Sequence, residues 1–128
     1  MKPLIIAEGS ATPRIHFDPE SRRLEIYGDS YPENAQAFFA PLSNWIKDFF
    51  EQLDQSQVQV DIRLDYFNSS TLKWLLSLLG QLEEQTRAGL DILVNWHYDQ
   101  DNELAEEHGT EIAEDFQSLP FVLCPIKR

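Results

Sequence analysis

Apolar residues alternate with polar ones in two stretches of this chain and recur at helical spacing in others. In QVQVDIRLDYF, residues 57–67, Val58, Val60, Ile62, Leu64 and Tyr66 fall on one side, and Gln59, Asp61, Arg63 and Asp65 on the other. In DILVNWHY, residues 91–98, Ile92, Val94, Trp96 and Tyr98 oppose Asp91, Leu93, Asn95 and His97. A period of two predicts strands with one face buried and the other toward water; strands covered on both faces read as unbroken apolar runs. Between the two lies a helical pattern over residues 69–89 that Gly89 can close. Leu72, Leu75, Leu76, Leu79 and Leu82 form its core stripe, widened by Trp74 and Leu78. Strand, helix and strand with short joints predict a parallel crossover that lays the helix on the apolar face.

Upstream, residues 3–8, 14–18 and 23–28 read as short strands, and the DPES turn at 18–21 joins the last two as a hairpin. A helix is expected within residues 28–53, where Phe38, Phe39, Leu42, Trp45, Ile46, Phe49, Phe50 and Leu53 recur at helical spacing. Ser30 followed by Glu33 fits a capping box, with Pro32 in the first turn. Pro41 inside this pattern predicts a kink or a division into two pieces. Residues 103–117 form a weakly apolar helix pattern, relying on Leu104, Ile112, Ala113 and Phe116, and PFVLCPIKR supplies a short edge strand. The expected architecture is α/β: a single mixed β-sheet, helices packed on one face, the other face open to water. At 128 residues, one domain accounts for the whole chain.

Composition removes several functions. Ten basic residues against 22 acidic ones give a net charge of −12. Phosphate backbones and anionic lipid need clustered Lys and Arg, so nucleic acid and membrane surfaces are not expected partners. A basic protein patch is a better match. One cysteine, Cys124, excludes an internal disulfide and suits a reducing cytoplasm. MKPLIIA is too short for a signal sequence, and no apolar run is long enough to span a bilayer.

Catalytic chemistry finds little footing. His16, His97 and His108 share no metal-ligand spacing with one another or with Cys124. The acidic run after the 91–98 strand offers Asp99, Asp101 and Glu103 as acid or base candidates for a small hydrolase. It lacks the central Gly and distant Glu of a calcium loop, and a solvated turn explains it as well. Cys124 has no basic neighbour before Lys127, and no glycine-rich phosphate loop is present.

The joint after the 57–67 strand stands apart. FNSST places Ser69, Ser70 and Thr71 in a row where a strand runs into a helix. Asn68 or one hydroxyl suffices as a cap. Helix N-termini favour negative charge, and a phosphate there would add about −2. Lys73, four residues after Ser69, is mildly unfavourable in a first turn unless such an anion is nearby.

Five segments then carry a resemblance: GSATPRIHFD (9–18), GDSYPEN (28–34), YFNSSTLKWLL (66–76), NWHYDQDNE (95–103) and AEDFQSLPF (113–121). In order and spacing they resemble the SiaC family of bacterial regulatory phosphoproteins. The resemblance covers nearly the whole chain and implies a STAS-like two-layer sandwich, similar to anti-sigma-factor antagonists. It also implies a non-enzymatic switch without cofactor or small-molecule substrate. A dedicated kinase phosphorylates such proteins and a PPM-type phosphatase reverses this. The unphosphorylated form binds and activates a diguanylate cyclase, raising cyclic di-GMP and favouring aggregation and biofilm. The acceptor is the hydroxyl residue directly after the Asn of the YFN motif, here Ser69. A family member carries Thr at this point; Ser69 keeps the hydroxyl without the methyl group. Asn68, Ser70, Thr71 and Lys73 would complete the partner-binding patch, with Tyr31 and Glu33 of GDSYPEN beside it. The same fold also suits an antagonist in an anti-sigma or stress-signalling pathway.

Overall fold

The computed structural model describes residues 1–54 and 57–127. Among the described residues six strands and three helices follow one another: β1 (Leu4–Ile6), β2 (Arg14–Asp18), β3 (Arg23–Ser30), α1 (Ala35–Gln52), β4 (Val58–Phe67), α2 (Ser69–Arg87), β5 (Ile92–Asp99), α3 (Glu103–Asp115) and β6 (Phe121–Ile126). Arg128, last residue of the expected C-terminal segment, lies outside the described residues. The strands form one sheet in the order β1-β2-β3-β4-β5-β6. β1, β2 and β3 pair antiparallel, whereas β3, β4, β5 and β6 pair parallel. The expected single mixed sheet is therefore present.

Register explains the core. Phe17, Leu24, Val60 and Val94 lie in one cross-strand row, and Ile15, Ile26, Ile62 and Trp96 in the next. All eight are buried and share one face. The helices cover that face. Phe39, Leu42, Ile46 and Phe49 of α1 and Leu75, Leu78, Leu79 and Leu82 of α2 join the same core. Leu78 is thus central to the stripe, whereas Leu72 and Leu76, expected at its centre, are half-buried. α3 is seated by a buried hydrogen bond from Trp96 Nε1 to the Ala105 carbonyl at 2.9 Å. Its buried side is Ala105, Gly109 and Ile112, and Leu104, expected in the apolar side, is 59% exposed. Small residues let this helix approach Trp96 closely.

The opposite face departs from the simple alternation. Asp61, expected toward water, is 2% exposed. Its Oδ2 accepts from Arg23 Nη2 and Gln59 Nε2 at 3.0 Å each, and its Oδ1 from Asn95 Nδ2 at 3.1 Å and His97 Nε2 at 2.9 Å. A carboxylate only accepts, so His97 carries its proton on Nε2. Burial pushes the Asp61 carboxyl up, but the four hydrogen bonds outweigh burial and hold it below the ordinary range.

Two local features reset the segments around the hydroxyl run. The β3–β4 register shifts after the Gly28–Leu64 pair, so that Ser30 faces Phe67. β4 thus carries one extra residue there, a bulge, and a one-residue slip exchanges the two faces. Tyr66, expected in the core, is 55% exposed. Phe67 turns inward instead, against Trp96 and His108. The second feature is the start of α1. Ser30 is the last residue of β3 and is buried, so the expected Ser30–Glu33 capping box does not form and Pro32 precedes the helix. Asn34 caps α1 through a hydrogen bond from the Ala37 N–H at 3.1 Å. Pro41 leaves α1 in one piece: it lies on the exposed side of the helix, as does Ala37, whose carbonyl it cannot bond.

At the far edge, β6 contains Pro125. The Val94 N–H donates to the Pro120 carbonyl, and the Gln100 N–H to the Ile126 carbonyl. Even-numbered residues of β6 therefore face β5, and Pro125 turns its missing N–H to the free edge, where it blocks further pairing.

Candidate functional site: the joint between β4 and α2

Asn68 leaves β4 in extended conformation, and the chain turns helical at Ser69. Asn68 Oδ1 accepts from the Thr71 N–H at 2.9 Å, a standard N-cap bond. The Asn68 N–H donates to the Ser30 carbonyl at 3.1 Å. The Thr71 hydroxyl donates to the same carbonyl at 3.0 Å, and its oxygen lies 2.8 Å from Ser30 Oγ. Thr71 has one hydroxyl proton, already committed to the carbonyl, so Ser30 donates to Thr71 Oγ1.

This sorts the three hydroxyls. Thr71 and Ser30 are both 0% exposed. Ser69 and Ser70 stand at the surface. Their N–H groups are the first two of α2 and have no carbonyl a turn earlier within the helix, so the positive end of its dipole is open beside them. Thr71, expected in a docking patch, acts inside the fold instead. Lys73 is exposed, one turn beyond Ser69, and makes no ion pair among the described residues. With Gln36, Trp74 and Ser77 it lines a shallow cavity of about 300 Å³.

Tyr31 adjoins the joint because Ser30 pairs with Phe67. The Tyr31 N–H donates to the Ala11 carbonyl and its hydroxyl to the Ser10 carbonyl, each at 2.8 Å. Its ring meets Tyr66 edge-on, with centroids 5.7 Å apart. Glu33 is exposed in the following turn. Asn102, the N-cap of α3, donates from Nδ2 to the Asp65 carbonyl in the bulge at 3.0 Å. Residues from four of the five quoted segments therefore meet at the end of the sheet where β3, β4 and β5 finish. Ser30 and Tyr66 both stand elsewhere than their local pattern implies: Ser30 is a buried strand end and Tyr66 is exposed. The only hint is that GDSYPEN and YFNSS occur together.

The acidic run has structural duties. Asp99 is buried, and its Oδ1 accepts from the Asp101 N–H at 2.9 Å. Glu103 lies in the first turn of α3, where a carboxylate suits the dipole. Asp29, Asp65, Asp99, Asp101 and Asn102 line an open concavity of about 540 Å³. Among the described residues no group of three His, Cys, Asp or Glu is placed to hold a metal. No described helix is long and apolar enough to cross a membrane. Burial pushes the Cys124 thiol up, away from the reactive thiolate.

The family model described as SiaC family regulatory phosphoprotein matches residues 6–126. The chain belongs to the SiaC family. It is a regulatory protein rather than an enzyme. An uncharacterized protein of Pseudomonas aeruginosa (strain UCBPP-PA14) is 37% identical over 123 residues, covering 96% of each chain. Among solved structures, this SiaC family member is similar to a chain in the crystal structure of diguanylate cyclase SiaD in complex with its activator SiaC from Pseudomonas aeruginosa. The TM-score is 0.91 and the identity 36%, covering 96% of this chain and 99% of that one. Apo-SiaC from the same organism gives a TM-score of 0.83 at 34% identity, with 97% and 99% covered.

Proposed function

We propose that this chain is a phosphorylation-controlled protein-binding switch of the cytoplasm, with Ser69 as its acceptor. The unphosphorylated form docks on a diguanylate cyclase and activates it, raising cyclic di-GMP and favouring aggregation and biofilm. A partner kinase adds phosphate to Ser69, and a PPM-type phosphatase removes it. One observation carries the reading: in a family of regulatory phosphoproteins, Ser69 is the exposed hydroxyl directly after the Asn cap of α2. The likeness to SiaC, the activator of SiaD, supports the choice of partner.

The physics is local. A phosphate on Ser69 adds about −2 at the positive end of α2, within reach of Lys73. Asn68, Ser70, Lys73, Tyr31 and Glu33 surround it as the docking patch, held from beneath by Thr71. A partner seated on this patch must desolvate it, and a dianion there raises that cost and adds bulk.

Incubation with the cognate kinase and ATP, followed by phosphate mapping by mass spectrometry, tests the acceptor. Phosphate is expected on Ser69, and its absence there overturns the reading. Ser69→Ala should keep binding the cyclase while Ser69→Asp binds more weakly; equal binding by the two contradicts the switch.

A further inference from the structure

Ser30 holds the joint from below. It makes three hydrogen bonds to the two residues that bracket Ser69 and Ser70. Its carbonyl accepts from the Asn68 N–H and the Thr71 hydroxyl, and its own hydroxyl donates to Thr71 Oγ1. Both hydroxyl residues are fully buried. We propose that Ser30 and Thr71 form a two-hydroxyl latch that positions Ser69 for phosphoryl transfer and withholds Thr71 from it. This rests on the reading of Ser69 as acceptor and adds what selects it.

Two observations and one chemical requirement carry the latch. First, the β3–β4 ladder slips just before it, and Ser30–Phe67 is the last pair after the slip. The ladder beyond the bulge is thus too short to fix where β4 hands over to α2, and the Ser30 bonds do so instead. Second, the latch sets the rotation of α2. Successive helix residues are turned by about 100°. With Thr71 pinned inward, Ser70 and Ser69 lie about 100° and about 200° away, and both face solvent as observed. Third, phosphoryl transfer is a matter of placing the attacking oxygen in line with the transferred group. A first turn free to fray or rotate offers Ser69 in many poses, and it also releases the Thr71 hydroxyl to the surface. Ser30 and Thr71 are accordingly positioning residues that act through the backbone at Ser69.

The test compares wild type with Thr71→Val, which keeps the shape and loses the hydroxyl, and with Thr71→Ser, which keeps the hydroxyl. Amide hydrogen exchange reads the hold on the joint without any kinase. In Thr71→Val the amides of Asn68, Thr71 and Leu72 should exchange about tenfold faster, with those of Leu75 to Leu82 nearly unchanged. Phosphorylation by the cognate kinase and ATP, mapped by mass spectrometry, reads the positioning. For Ser69, kcat/KM should fall about tenfold in Thr71→Val and return close to wild type in Thr71→Ser. Exchange and phosphorylation of Thr71→Val matching wild type overturn the latch, as does Thr71→Ser behaving like Thr71→Val. Wild-type protein that takes no phosphate on Ser69 overturns the parent reading and the inference with it. The exchange data distinguish that failure from a latch that does not hold.

Discussion

Asp61 shows how far one residue can depart from its place in a pattern. It stands at a polar position of β4, yet it is buried under Arg23, Gln59, Asn95 and His97. Its carboxyl is held below the ordinary value of 3.8 in the folded chain. The unfolded chain therefore binds the proton first as pH falls. The stability Asp61 supplies is full above the ordinary value and is lost as pH drops through the lowered one. Asp61→Asn should cost on the order of 2 kcal/mol near neutral pH, because four donors lose a charged acceptor. The gap from wild type should narrow in acid, and urea unfolding at about pH 7 and about pH 2.5 measures both. The alternation made Asp61 look solvated because three of its partners come from β3 and β5, 34 to 38 residues away. Local pattern carries no information about such neighbours.

At the scale of elements, two helical glycines separate intrinsic propensity from packing. A Cβ added at Gly80 of α2 meets nothing within 4 Å. Gly80→Ala should stabilise by about 1 kcal/mol, the usual gain in a helix. A Cβ at Gly109 of α3 would sit 2.6 Å from Trp96 Cδ1. Gly109→Ala should therefore reverse the sign and destabilise by about 1–3 kcal/mol, since the Trp96 ring that must move also holds Ala105. Thermal unfolding of the two variants reads the contrast directly. Helix and strand types were legible because the periods of two and 3.6 run through most of β4, α2 and β5. Boundaries were less so. Ser30–Glu33 satisfies the capping box as sequence, but β3 continues through Ser30, and Asn34 takes the cap. The β4 bulge leaves no local mark at all, and it alone turns Tyr66 outward.

For the whole molecule, one-faced alternation correctly implied a single sheet covered by helices on one side. The C-terminal ends of β3, β4 and β5 meet at one end of that sheet, and Ser69 lies open there. The candidate acceptor came from a resemblance carried by motifs. The division among the three hydroxyls was not legible, because it is decided by Ser30, 41 residues before Thr71. We propose that phosphate on Ser69 switches binding off. The most direct measurement is a calorimetric titration of this protein, unphosphorylated and stoichiometrically phosphorylated on Ser69, into SiaD from Pseudomonas aeruginosa. The unphosphorylated protein should bind, and the phosphorylated form should bind at least about tenfold more weakly, a loss of about 1.4 kcal/mol or more. Equal affinity of the two forms, or tighter binding by the phosphorylated one, would rule out a phosphate-controlled switch at Ser69.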